Sequence, residues 1–205
     1  MLLEERSPKF RKALHGKTGD REDTYEAVRL DGSTHAIKTI EYEHAEIHSG
    51  ASFEYSGYRD QTVNHVWDIQ FTTGESGKVP HLVFQFDSEA EMLWHFYENV
   101  NIILGGTGVT PLNHDRGSSN TSLVTVAYIT NTTLGNANAD TAVAGATTLN
   151  EGILGVGKKE GGLGGERHEW ILKRNEDYCL RFIASSAGYV NYHLTWYEHK
   201  DKSLL

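Results

Sequence analysis

Cysteine, proline and long apolar runs are scarce in this chain of 205 residues. Cys179 is the only cysteine, so a disulfide within the chain and a zinc site built mainly from thiolates are both excluded. No apolar run approaches the roughly 20 residues of a membrane-spanning helix, and the first residues carry acids where a signal peptide has basic residues. We therefore expect assembly in a reducing cytoplasm and no membrane partner.

Basic residues are outnumbered as well. The chain has 28 Asp and Glu against 19 Lys and Arg, a formal net charge of −9. Residues 1–29 hold seven basic and six acidic residues, which leaves 12 basic against 22 acidic residues in 30–205. Phosphate backbones repel a strongly acidic surface. Nucleic acid is therefore not expected as a partner of the main part of the chain.

What the chain does have is alternation of apolar and polar residues from about residue 36 onward. Trp67, Ile69 and Phe71 alternate with Asp68 and Gln70, which is the period of a half-buried strand. The same period recurs at 82–86, 92–97 and 190–196, and further strands are expected at 37–42, 53–55, 123–129, 170–173 and 178–183. Roughly eight to ten strands predict an all-β fold, a jelly-roll-like β-sandwich over residues 36–205. Its core is expected to hold all four tryptophans, Trp67, Trp94, Trp170 and Trp196.

Residues 1–35 follow a different pattern and are expected to form a separate N-terminal arm. Ser7 followed by Pro8 suits the start of a helix, and Phe10 and Leu14 lie on one helical face. The pattern predicts a short helix at about 8–15, followed by an extended stretch. A helix of this length is too short to be stable alone, so we expect it to pack on a partner; the alternative is a solvated tail.

Basic residues concentrate in this arm and recur in a glycine-rich stretch. Between residues 6 and 21, six basic residues face a single acid, which favours contact with an acidic surface. Residues 152–165 contain seven glycines and are expected to form a loop that orders against a neighbouring subunit or another partner. The predicted partner-binding residues are Arg6, Lys9, Phe10, Arg11, Lys12, Leu14, Lys17, Lys158 and Lys159.

The same glycine-rich stretch resembles a phosphate-binding loop in spacing alone. Residues 152–158 match the P-loop pattern as far as its lysine. Lys159 then stands where Ser or Thr must meet magnesium, and the glycines that follow cannot begin the helix that binds phosphate. No nucleotide cofactor is predicted.

Eleven histidines raise the question of a metal site. His44 and His48 would share one face of a strand, about 13 Å apart at the usual rise per residue, which is too far for one ion. The chain has neither a His-x-His pair nor a Gly-x-Ser-x-Gly nucleophile turn. We predict no metal ligand, no catalytic residue and no cofactor, and hence a protein that is not an enzyme.

Two segments near the C-terminus carry a family resemblance. Residues 169–182, followed by Ala187-Gly188 and by residues 194–199, resemble a family of tailed-bacteriophage virion proteins often encoded beside the major capsid protein. Residues 39–50 look like the opening strands of that family, and residues 108–113 and 155–159 look like its middle.

The resemblance implies a capsid decoration, or cement, protein. Copies of such a protein bind the outer surface of the phage head, typically as homotrimers, and stabilise the shell against the pressure of packaged DNA. The implied partners are the major capsid protein and further copies of the chain itself. An acidic, cysteine-poor chain fits this location on the exterior of the virion after assembly in the host cytoplasm.

Two other classes of function stay open at this point. One is a sugar-binding or receptor-binding β-sandwich, such as a tail-associated adhesin of the same virion. The other is a hydrolase built on a β-sandwich, which requires a cluster of catalytic groups.

Overall fold

The structure is a computed structural model that describes residues 15–17, 25–27, 42–75, 77–101, 106–133, 142–155, 159–161 and 169–200. By its internal contacts the chain divides into two units, residues 1–42 with 202–205, and residues 43–201. The described part of the first unit is a pair of antiparallel strands, β1 (His15–Lys17) and β2 (Tyr25–Ala27), with Gly16 opposite Glu26. The predicted helix at 8–15 is therefore wrong at His15, and its other residues lie outside the described part of the chain.

The second unit begins within a short helix, α1 (Tyr42–His48), whose first residue belongs to the first unit. A strand was predicted through residue 42, but Ala45 and the glutamates around it favour a helix. Gly50, with φ +69°, ends the helix in a Schellman motif. In this motif the amide of Ala51 donates to the carbonyl of Glu46 and that of Gly50 donates to Ile47. No helix in the described ranges is long and apolar enough to cross a membrane.

The rest of the second unit consists of two antiparallel sheets packed face to face. The first sheet has the order β10-β6-β13-β4-β9-β7, and the second has the order β11-β5-β14-β3-β8, with β12 also paired to β5. The strands are β3 (Ser52–Gln61), β4 (His65–Thr72), β5 (Lys78–Ser88), β6 (Met92–Glu98), β7 (Thr107–Val109), β8 (Leu112–Asn113), β9 (Thr125–Thr133), β10 (Thr147–Leu154), β11 (Lys159–Gly161), β12 (Trp170–Ile171), β13 (Asp177–Ala184) and β14 (Gly188–Lys200).

The strand order is that of a jelly roll. Each consecutive pair β3–β4, β5–β6, β10–β11 and β13–β14 crosses from one sheet to the other, which gives two facing four-stranded sheets. Strands β7, β8 and β9 are an insertion that extends both sheets beside β4 and β3. The predicted all-β, jelly-roll-like sandwich is confirmed.

Aromatic side chains from both sheets fill the core. Phe86 of the second sheet meets Trp94 and Phe182 of the first, with ring centroids 4.9 Å and 5.2 Å away. Each side chain of this kind stabilises the fold by about 1.5–3 kcal/mol when it is removed from water. The core prediction is confirmed for Trp67, Trp94 and Trp196, which are at most 2% exposed, while Trp170 packs against the core half-buried.

The glycine-rich stretch 152–165 is not one loop. Its first three residues end strand β10, and Lys159–Gly161 forms β11. Gly152 is required in β10 because a Cβ there would lie 2.6 Å from Nε1 of Trp94. The glycine thus lets a core ring approach the backbone of an edge strand. Gly155 follows the end of β10, and residues 156–158 and 162–165 of the predicted loop lie outside the described residues.

Candidate functional site

Two tyrosines stand exposed on the outward side of the second sheet. Tyr58 on β3 is 70% exposed and Tyr189 on β14 is 42% exposed. Their rings form an edge-to-face pair with centroids 5.9 Å apart. The outward side of a strand is usually polar, so an exposed aromatic pair marks a candidate contact surface.

Polar groups border this tyrosine pair in an ordered row. Asn191 lies opposite Tyr58, and Asp87 lies opposite Asn191 on the next strand. Nδ2 of Asn191 donates to Oδ1 of Asp87 at 2.7 Å. Asp60 lies opposite Tyr189 and is exposed. We call these five residues, Tyr58, Asp60, Asp87, Tyr189 and Asn191, the tyrosine face.

A depression of about 400 Å³ adjoins the tyrosine face. It is lined by Tyr58, Arg59, Asp60 and Thr62, and the guanidinium of Arg59 lies 5.6 Å from the ring centroid of Tyr128. One ring and three polar or charged side chains line the depression, which makes it more polar than most small-ligand pockets. The face can thus offer ring stacking, two carboxylates and an amide to a partner.

A second polar cluster joins β3 to β8. Oγ of Ser52 lies 2.7 Å from Nδ1 of His114, and Nε2 of that ring lies 3.4 Å from Oε2 of Glu54. The same carboxylate oxygen is 3.1 Å from Nε2 of His193. A serine, a histidine and a glutamate in contact are the components of a nucleophilic relay. Ser52, however, is only 7% exposed. The backbone amide of His114 also donates to the carbonyl of Ser52, so backbone pairing accounts for the closeness of these side chains.

A third cluster lies on β5 and β14 near the start of β12. The ring of His81 stacks on that of Tyr197 at 4.7 Å, and its Nδ1 lies 2.6 Å from Oε1 of Glu169. The hydroxyl of Tyr197 donates to the same oxygen. The contacts fasten the segment before β12 to the centre of the second sheet, which is a structural role.

The outward side of the first sheet carries a buried ion pair. Nε and Nη2 of Arg181 donate to the two carboxylate oxygens of Asp68 at 2.8 Å and 2.7 Å. The two side chains are 5% and 1% exposed. Cys179 is completely buried beside them, and burial, followed by the charge of Asp68, raises the pKa of its thiol well above the ordinary value. An un-ionised, buried thiol is a poor nucleophile.

A groove of about 540 Å³ opens at the end of the sandwich. Lys78 and Lys200 line it, and so does Glu198. The Glu198 carboxylate is bound by the amides of Leu123 and Val124 and by Nε1 of Trp196. This carboxylate is occupied in holding the turn before β9, so it is not free to act on a ligand.

The predicted partner-binding residues are placed only in part. Lys17 lies in β1. Lys159 lies in β11, where its backbone pairs with that of Asp87, a residue of the tyrosine face. The others, Arg6, Lys9, Phe10, Arg11, Lys12, Leu14 and Lys158, lie outside the described residues. The tyrosine face itself was not predicted, because the predicted strands 53–55 and 190–196 stopped short of both tyrosines.

The histidine geometry predicted from the sequence is wrong. His44 and His48 lie on α1, not on a strand, and their Nε2 atoms are 2.9 Å apart instead of about 13 Å. Within the described ranges, no group of three or more His, Cys, Asp and Glu residues could hold a metal ion.

Comparison of the chain with protein-family models, with curated proteins and with solved structures finds no match.

Proposed function

We propose that the protein is a structural virion protein that decorates the outer surface of a tailed-phage head. It would bind the major capsid protein, assemble as a homotrimer, and stabilise the shell against internal DNA pressure. The supporting observation is where the resembling segments fall in the fold. Residues 177–182 make up most of β13, and residue 188 with residues 194–199 makes up part of β14. These two strands lie between β6 and β4 and between β5 and β3, so the C-terminal part of the resemblance concerns the centre of both sheets. Residues 39–50, which look like opening strands of the family, instead contain helix α1.

The tyrosine face is the proposed contact with the shell or with a neighbouring copy. Tyrosine is enriched in protein interfaces because it buries a large rigid area and keeps one polar atom. The acidic groups beside it match a basic partner surface, and the basic stretch of the arm, residues 6–21, would be one such surface on an adjacent subunit. The rest of the acidic body suits the exterior of a head better than its DNA-facing interior.

Binding to shells tests the proposal directly. Purified full-length protein is mixed with expanded phage shells that lack it, and bound protein is counted after sedimentation. Tyr58→Ala with Tyr189→Ala should weaken binding at least about tenfold. Ile153→Ala, which removes a side chain 64% exposed on β10 of the other sheet, should leave binding unchanged. No saturable binding of the unmodified protein to shells would refute the proposal.

The arm has its own test. Removal of residues 1–29 should leave the sandwich folded with the same melting temperature and should weaken attachment to shells, more in low salt than in high salt, because charge attraction is screened by salt. Light scattering should give a trimer mass for the protein. Equal binding of the truncated and full chains at every salt concentration would contradict the role of the arm.

The tyrosine face favours a second candidate function, binding of a neutral saccharide. Exposed rings of Tyr58 and Tyr189 can stack on pyranose faces, while Asn191 and Asp87 can hydrogen bond to hydroxyls. The nearby carboxylates disfavour anionic sugars. Glycan-array binding that is lost in Tyr58→Ala, together with no binding to shells, would select this function over decoration.

A further inference from the structure

The paired histidines of α1 form a preorganised two-nitrogen site. Nε2 of His44 and Nε2 of His48 lie 2.9 Å apart, and the ring centroids are 4.6 Å apart with the planes at 68°. Both side chains are exposed. Residues four positions apart on a helix face the same side, and the Schellman motif at Gly50 defines the end of this helix.

The nitrogen spacing is close to that of a metal chelate. Imidazole nitrogens bind zinc at about 2.0–2.1 Å in a tetrahedral arrangement, which puts two ligating nitrogens roughly 3.3 Å apart. The observed 2.9 Å is the distance of an N–H···N hydrogen bond. A small rotation of either ring would open the pair to the chelate distance. The donor ring would keep its proton by moving it from Nε2 to Nδ1, so two neutral rings bind the ion without net proton release.

We propose that His44 and His48 bind one divalent ion of the zinc, nickel and copper class. Imidazole selects these ions over calcium and magnesium, which prefer oxygen ligands. Because no third His, Cys, Asp or Glu ligand converges there within the described ranges, two or more coordination positions hold water or a group from a partner. The helix has only seven residues, so a chelate across one turn would also stabilise it.

Calorimetric titration tests the site on the full-length protein made without a histidine tag. Separate titrations use Cu²⁺, Ni²⁺, Zn²⁺ and Mg²⁺ salts at neutral pH. We expect saturable binding of the first three, with Cu²⁺ strongest, and no heat with Mg²⁺. His44→Ala and His48→Ala should each lower the affinity for Zn²⁺ at least about tenfold. His95→Ala is the control: it removes an imidazole on β6 that contacts Glu151 on β10, and it should leave the zinc affinity unchanged.

Two further readouts separate chelation from a change in folding. The electron paramagnetic resonance spectrum of Cu²⁺ bound to the unmodified protein should show superhyperfine splitting from two nitrogens. The spectrum of His44→Ala or of His48→Ala should show splitting from at most one. Zinc affinity should fall as the pH falls, because ligating imidazoles must be unprotonated. The inference is wrong if no ion binds more tightly than about 1 mM, or if both variants bind zinc as the unmodified protein does while keeping its melting temperature.

Discussion

Removing one partner of the buried pair formed by Arg181 and Asp68 should strongly destabilise the first sheet. The two residues are joined by two charge-assisted hydrogen bonds of 2.7 Å and 2.8 Å, with the carboxylate 1% exposed. Arg181→Met keeps an apolar stem of similar shape but removes the guanidinium, which leaves the Asp68 charge buried without its partner. Breaking a buried pair in this way costs about 3–5 kcal/mol. For a domain of this size that lowers the melting temperature by about 10 °C.

A double-mutant cycle separates the pair from the packing around it. Asp68→Leu with Arg181→Met removes both charges and fills the space with apolar groups, so the double variant should lie within about 1 kcal/mol of the original protein or above it. Lys173→Met serves as the control, because it removes the charge of an ion pair with Glu98 in which the lysine side chain is 65% exposed. That variant should leave the melting temperature nearly unchanged.

Urea unfolding followed by tryptophan fluorescence gives the free energy of unfolding for each variant. We expect similar free energies of unfolding for the unmodified protein and the double variant, and a much lower one for Arg181→Met. Equal stability of Arg181→Met and the original chain would refute the reasoning, as would a double variant as unstable as the single one.

Three further outcomes follow from close contacts and burial. Gly152→Ala should cost about 1–3 kcal/mol by forcing a Cβ against Trp94, whereas Gly108→Ala, whose Cβ would meet open space, is the matched control. Because burial raises its pKa, the Cys179 thiol of the native protein should react with a thiol reagent at pH 8 at least about a thousandfold more slowly than that of the protein unfolded in urea. Fast labelling of the native protein would contradict this expectation. Burial, followed by the hydrogen bond with Tyr192, raises the pKa of Tyr55. The contribution of Tyr55 to stability is therefore present below about pH 10 and falls as the pH rises further. The urea midpoint should drop between about pH 10 and 11, and Tyr55→Phe should flatten that slope.

Alternation along the chain was enough to identify the sandwich and much of its core. A strand places successive side chains on opposite sides, so Trp67, Ile69 and Phe71 had to share a face, and a large aromatic face has to be covered. The predicted strands 53–55 and 190–196, however, stopped short of both tyrosines of the tyrosine face. Tyr58 and Tyr189 lie out of phase with the core positions Tyr55 and Val190 of their strands, and both are exposed.

Pairings between distant residues were decided only by the tertiary structure. Arg181 and Asp68 are 113 positions apart and meet because β13 lies beside β4 in the sheet order, which alternation within single strands does not encode. His44 and His48 come together because the residues around them form a helix. In a strand two residues four positions apart are separated by four steps along the chain, whereas in a helix they lie on adjacent turns of the same face. Strand order and the choice between strand and helix both depend on contacts across the whole chain. Local pattern therefore determined the architecture, while the buried ion pair, the tyrosine face and the histidine pair are products of the packed fold.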